Sequence, residues 1–346
     1  MKPVATDIYR CPYTGEELIL EVKEKSGSEV ISGVLKTNTR QYEIRDGIPQ
    51  LISDSDEHLG EDEKREYAYY QSSSRTYDSI MDWLFESFYE DENLIRENMI
   101  DLLELKPGNT MLETGCGTCR DSTRIARRIG PDGKFFLQDL SPHMLAIGRD
   151  RMQTLAADHP LPQSEFFIGN ATRLPFPDGY FDAAFHFGGL NLFSDRKQAL
   201  SEMARVVRPG GKVVVGDESV GPWLRQTEYG KILLNSNALY RHEVPVDLVP
   251  EIAREVCVRW IIGQAFYLID FRVANDPPKV DLDKPILGFR GGTHRSRYYG
   301  NLEGVTPEAK KMAEAAARAT GSSLHEWLDK AVRLRASNDL DLNKKV

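Results

Sequence analysis

No stretch of this 346-residue chain approaches the run of about 18 apolar residues that a membrane-spanning helix needs. Cysteine is scarce. Cys11, Cys116, Cys119 and Cys257 are the whole complement, and their spacing fits no disulfide framework. The opening MKPVATDIYRCPYTGEEL carries no apolar stretch behind a basic start, so it does not read as a secretory signal. These absences together predict a soluble, cytoplasmic protein. A basic excess is lacking too: 44 Lys+Arg against 53 Asp+Glu leave a net charge of −9. That balance argues against a general nucleic-acid or anionic-membrane binder. Internal repeats and low-complexity tracts are absent as well. What remains is ordinary globular usage, 40% hydrophobic and 28% charged, with length for about two domains at roughly 150 residues each.

Composition divides the chain into four parts. Residues 1–52 hold β-type runs broken by turns (EELILEVKE, SEVISGVLKT, RQYEIRDGIPQLI), which predict a small antiparallel module. Residues 53–105 begin with a solvated acidic linker, SDSDEHLGEDEKRE, and continue as helices in which Met81, Leu84, Phe85 and Phe88 share one face. Residues 106–300 open with strand–helix alternation. Strands are expected at 110–114, 133–138, 164–168, 181–187 and 212–216, helices near 120–130, 142–156 and 195–207, and a closing hairpin within 260–274. Such alternation implies an α/β fold, a parallel sheet with helices on both faces and ligands outside the carboxyl ends of its strands. Residues 301–346 read as two helices. Pro307 opens the first, Gly321 ends it, Ser322 and Ser323 cap the second, and Leu324, Leu328 and Ala331 form an apolar face.

The segment Met111-Leu112-Glu113-Thr114-Gly115-Cys116-Gly117-Thr118-Cys119-Arg120 runs an apolar strand into a tight glycine turn and then a helix. Gly115 can take backbone angles closed to other residues, and Gly117 lets a ligand approach the main chain. In a dinucleotide fingerprint a third glycine follows beside the pyrophosphate; Arg120 occupies that place here, which counts against a dehydrogenase. Asp139 ends the next strand, where a carboxylate can accept both hydroxyls of a ribose. Glycine turn, missing pyrophosphate glycine and ribose acid together describe a nucleoside site without phosphates.

The stretches LETGCGTCRDS, LQDLSPHML, GNATRLPFPDGYFDAAF and MARVVRPGGKVVVGDES occur in that order within residues 107–218. The segment resembles a class I S-adenosylmethionine-dependent methyltransferase, nearest the ubiquinone/menaquinone C-methyltransferase-like group, and so implies a Rossmann-like sheet. The resemblance assigns Glu113, Gly115, Cys116 and Gly117 to the methionine and ribose part of the cofactor. It assigns Asp139 to the ribose, Leu140 and Met144 to the adenine ring, and Asn170-Ala171 to the adenine amino edge. His186, Phe187 and Gly188 would line the cofactor beside the methyl group. Cys119 stands where the group usually has glycine. The activity implied is methyl transfer from S-adenosylmethionine to a small-molecule acceptor.

Candidates for catalysis are His186 and Asp217 at strand ends, and Tyr70 or Tyr77 from the aromatic-rich segment before the first strand, which in related enzymes forms a lid. Glu218 and Asn191 are further candidate contacts. The loop GFRGGTHRSRYYG, with Arg290, His294, Arg295, Arg297, Tyr298 and Tyr299, offers an anion-binding alternative to a solvated loop. The module around Cys11 resembles the small zinc-ribbon-like family that includes activators of tRNA and protein methyltransferases. Thr14 replaces the second cysteine, and residues 12–52 hold no Cys or His, so a metal-free docking or lid module is expected. Cys116 and Cys119, although spaced C-x-x-C, are committed to the glycine turn rather than to metal or redox chemistry. The C-terminal helices resemble the ribbon–helix–helix fold, which implies a homodimer through that segment. The alternatives carried are an RNA- or protein-directed methyltransferase, and a cofactor-binding regulator that holds DNA through its C-terminal helices.

Overall fold

The computed structural model describes residues 1–2, 7–52, 76–299 and 305–342. Strands β1 (Ile19–Ser26), β2 (Glu29–Lys36), β3 (Gln41–Arg45) and β4 (Ile48–Pro49) form an antiparallel meander in that order. Tyr42 and Ile44 of β3 point inward and their neighbours outward, the period of a half-buried strand. The Cys11 loop closes on hydrogen bonds: the Cys11 N–H donates to Glu16 O at 2.8 Å, and Cys11 Sγ lies 3.2 Å from Tyr42 Oη. Among the described residues no group of three His, Cys, Asp or Glu side chains is placed to hold a metal ion.

The acidic run 53–66 and the tyrosines 67, 69 and 70 lie outside the described residues. Helices α1 (Tyr77–Ser87) and α2 (Glu92–Asp101) come next, α2 capped by Asp91, which accepts the Leu94 N–H. The alternating region follows: β5 (Thr110–Thr114), α3 (Ser122–Ile129), β6 (Lys134–Asp139), α4 (Pro142–Asp158), β7 (Gln163–Ile168), β8 (Phe181–Phe187), α5 (Arg196–Val206), β9 (Val207–Glu218), α6 (Glu228–Ser236), and the hairpin β10 (Ala253–Ile261) and β11 (Phe266–Val273). Ser141 and Pro142 start α4 in the favoured way, a serine cap followed by a proline that needs no N–H partner.

These strands form one seven-stranded sheet in the order β10-β11-β9-β8-β5-β6-β7, parallel from β5 through β9 and antiparallel at the hairpin. β5 and β8 are buried almost throughout, as strands covered on both faces must be. The chain runs from β5 outward to β7 and then returns to β8, so the strand order reverses between β5 and β8. A ligand cleft is expected at the carboxyl ends there. The small module caps the free edge of this sheet: the Leu51 N–H donates to Ile168 O at 2.7 Å, and Tyr9 is buried against Phe136, Phe167 and Phe176. An exposed edge of unpaired backbone groups is thereby covered.

The chain leaves the sheet at Val273, and packing divides it into Met1–Pro277 and Pro278–Val346, ahead of the composition boundary at 300. The second unit contains α7 (His294–Tyr299), α8 (Pro307–Ala319) and α9 (Leu324–Leu342). Thr306 caps α8, Ala313 and Ala317 are buried, and the Tyr299 ring stacks on His325 at 4.0 Å. Two of the three arginines in the 288–300 loop engage their own surroundings: Arg295 pairs with Asp283 at 3.2 Å, and Arg297 donates to Gly291 O at 3.0 Å. No helix among the described residues is long and apolar enough to cross a membrane.

Candidate active site

The glycine turn after β5 takes backbone angles that its sequence requires. Gly115 has φ +64° and Gly117 φ +52°, in the left-handed region. At Gly115 a side chain would be crowded as well, because a Cβ would stand 3.0 Å from His186 Cε1. Neighbouring strand ends hold the turn's N–H groups. Gln138 Oε1 accepts from Gly115 N at 3.1 Å, while Asp139 accepts from Gly117 N on one oxygen and from Ser141 N on the other, both at 2.8 Å.

Cys119 also has φ +62°, a glycine-like angle. Its side chain is accommodated by Gly148 of α4, where a Cβ would meet Cys119 Sγ at 2.5 Å and Gly117 O at 2.9 Å. The Gly148→Ala variant should therefore overpack the loop and lose about 1–3 kcal/mol of stability. Adding Cys119→Gly should return part of that loss. A melting temperature for Gly148→Ala equal to that of the parent protein would show that the sulfur is not wedged there.

Above the turn lies a cavity of about 730 Å³, within the range of small-molecule sites. Its floor includes Glu113, Gly115, Cys116, Gly117, Asp139, Leu140, Met144, Asn170, Ala171, His186 and Phe187, so the fold brings together every cofactor-side residue expected from sequence. Its upper walls are largely apolar and come from α1 (Ile80, Leu84, Phe85), the turn after it (Phe88), α6 (Leu233), Tyr240 and Phe266 of β11. Tyr77 opens α1 and lines the cavity, its phenol pushed up to about 12 by burial. Tyr70 lies outside the described residues.

The strand-end carboxylates separate. Glu218 lines the cavity, whereas Asp217 faces the opposite side of β9, is fully buried, and accepts the N–H groups of Asn191 and Glu218. Alternation along the strand sends the two side chains apart, so Asp217 supports the turn at Asn191 and does not reach the cavity. Asn170 is also more committed than its sequence suggests. Its Oδ1 accepts both the N–H and the hydroxyl of Thr172, at 2.9 and 2.8 Å, leaving the amide NH₂ as its free function. His186 is 1% exposed. Its Nδ1 donates to Thr114 O at 2.8 Å and its Nε2 has no protein partner, a tautomer set by the carbonyl. Burial holds the imidazole below its ordinary pKa, so it is neutral near pH 7.

Residues 59–224 match the model of the ubiE/COQ5 methyltransferase family. The demethylmenaquinone methyltransferase of Bacillus mycoides is 39% identical over 119 residues, which are 34% of this chain and 48% of that protein. The enzyme of the same name from Bacillus cytotoxicus is 38% identical over the same span. The chain thus spans about half the length of the curated relatives it matches. A solved SAM-dependent methyltransferase from Aquifex aeolicus overlays 52% of this chain and 89% of its own, at 18% identity and a TM-score of 0.37. Over residues 59–224 the chain is similar to S-adenosylmethionine-dependent methyltransferases.

The cavity floor suits S-adenosylmethionine on its own chemistry. Glu113 Oε2 is buried beneath the cavity without a hydrogen-bond partner, and burial raises this carboxyl well above the usual carboxylate range. A cofactor ammonium is the kind of group that would relieve such an atom. Cys116 is likewise pushed well up, by burial first and by Cys119 next, so the first cysteine of the C-x-x-C stays a protonated thiol.

Sequence reasoning missed two sets of residues. Gln138, 3% exposed in mid-sheet, braces Gly115 and donates through Nε2 to Gly169 O. A polar residue in an apolar strand next to Asp139 was the available signal. The second set is ionic. Arg96 of α2, also 3% exposed, pairs with Glu92 at 2.6 Å and with Asp121, and Arg120 forks onto Glu92 and reaches Asp82 of α1. Arg96–Glu92 is an i,i+4 pair within α2, but the other three span 25 to 38 residues of sequence, beyond any local pattern.

Proposed function

We propose that this chain methylates a small, largely apolar acceptor bound against α1, α6 and the β9–β11 ends. One observation carries the reading: a single cavity has a polar floor built from a glycine turn and strand-end carboxyls, and upper walls of Phe85, Phe88, Leu233, Tyr240 and Phe266. On this reading Asp139 takes the ribose hydroxyls, Glu113 faces the cofactor ammonium, Leu140, Met144 and Ala171 flank the adenine, and Asn170 presents its amide NH₂ to a ring nitrogen. Phe187 bounds the reacting centre. When bound, the cofactor supplies a methyl group on a positively charged sulfonium.

The chain's own residues then do three things. The apolar walls exclude water from a charge that disappears during transfer. Their shape fixes the acceptor in line with the methyl group, the largest contribution a protein can make to such a step. His186, neutral and with a free Nε2, receives the proton that a carbon or hydroxyl acceptor must lose. The relatives' name suggests the acceptor class, a reduced naphthoquinone ring with an apolar tail. Such a molecule matches the aromatic walls.

The test is direct. Purified protein with S-adenosylmethionine and a reduced naphthoquinone should form S-adenosylhomocysteine in an acceptor-dependent way, with one methyl gained by the quinone in mass spectrometry. If S-adenosylhomocysteine fails to raise the melting temperature and no acceptor among apolar phenols or quinols is methylated, the reading is wrong.

A further inference from the structure

We propose that Arg120 and Asp78 are a positioning pair that couples the acceptor wall to the cofactor loop, so that binding below orders α1 above. This rests on the methyltransferase reading just given and extends it to two residues that touch neither methyl nor acceptor in that reading. α1 supplies Ile80, Met81, Leu84 and Phe85 to the upper cavity. Its first turn is tied to the glycine loop. Thr118 Oγ1 donates to Asp78 Oδ1 at 2.9 Å, Arg120 Nη1 donates to Asp78 O at 3.2 Å, and Arg120 Nη2 reaches Asp82 Oδ1 at 2.6 Å. Arg151 of α4 closes the ring onto Asp78 and Thr118. Arg120 also forks onto Glu92 at 2.8 and 2.6 Å, which ties α2 to the same loop.

Thr118 and Arg120 belong to the segment whose main chain forms the cofactor floor, so one set of restraints serves both halves of the cavity. The Arg120 side chain is only 15% exposed, and a planar fork holding three acidic partners is a far more directional tie than a screened surface pair. A ligand that orders the loop therefore orders α1, and the second ligand meets a helix already in place. Coupling of this kind is reciprocal and needs no large movement. A glycine at position 120 would leave the helix end without its anchor.

Hydrogen exchange of the full chain, with and without S-adenosylhomocysteine, reads this without knowledge of the acceptor. In the parent protein the product should slow exchange both in the loop 113–121 and in α1, the latter by about 5-fold or more. In Arg120→Ala the loop should still respond while the α1 response is lost, and Arg120→Lys should keep part of it. Asp78→Asn, a milder change, should reduce the α1 response in the same direction if the alanine variant does not fold. A merely structural role would speed α1 exchange equally in both states and leave its response to product intact; that result, or an unresponsive α1 in the parent protein, overturns the proposal. An unresponsive loop would instead mark failure of the cofactor reading itself.

Discussion

Replacing Asp139 with alanine is expected to weaken S-adenosylhomocysteine binding by roughly 100-fold or more, the sum of two hydrogen bonds to a charged acceptor at about 1.5–3 kcal/mol each. A carboxylate has about four acceptor positions. The Gly117 and Ser141 N–H groups bind one oxygen each, at 2.8 Å, and acceptor capacity is left for a ribose. Burial raises the Asp139 pKa, and the backbone donors of Ser141, Gly117 and Leu140 oppose it. The alanine variant loses the ligand contacts and also the clamp on the Gly117 turn. Asp139→Asn keeps the shape but exchanges one acceptor oxygen for a donor, so it should fall between the two. Titration calorimetry decides the matter: an alanine variant within threefold of the parent affinity would remove Asp139 from the cofactor site.

The second large effect is at His186. His186→Asn places an amide nitrogen where Nδ1 donates to Thr114 O, while deleting the Nε2 acceptor. If that nitrogen receives the acceptor's proton, kcat should drop by about 10²–10⁴-fold with product affinity changed little. The pH profile carries the sign. Burial depresses the imidazole pKa from 6.5, with the Thr114 carbonyl and Asp217 opposing it. The neutral form needed for proton transfer therefore persists below pH 6.5, and parent activity should decline only in more acidic solution. Stability follows the same linkage: the contribution of a depressed histidine is present above 6.5 and is lost as pH falls through the lowered native value. A kcat for His186→Asn within threefold of the parent would show that the proton leaves by another route.

Much of the fold was legible because its causes are local. Apolar runs bounded by turns marked β5 through β9, and the observed ends lie within a residue of expectation except at β9, which begins at Val207 because pairing with β8 continues through a register shift at Phe181/Ala183. The glycine turn was legible because φ near +60° at Gly115 and Gly117 is open to few residues. Asp139 was legible because a strand end delivers its side chain to a cleft at a known distance along the chain. Pro307 at the start of α8 and the Ser323 cap of α9 belong to the same class of short-range signal.

Other features were decided only when distant segments met. Which of Asp217 and Glu218 faces the cavity depends on the phase of pleating along β9. Cys119 takes a glycine's angle because Gly148, on another helix, leaves space for its sulfur. Arg120, which by sequence only marked an absent glycine, finds its acids on α1 and α2. The small N-terminal module joins the large sheet by a hydrogen bond at Ile168 that no motif announces. By itself the sequence determined the elements, the turn and the carboxylate that ends β6, because propensity, periodicity and backbone sterics act over a few residues. Tertiary structure alone decided which charges pair, which side chains line the cavity and what stands above the cofactor floor, because those depend on side chains brought together across the chain by burial of a common core.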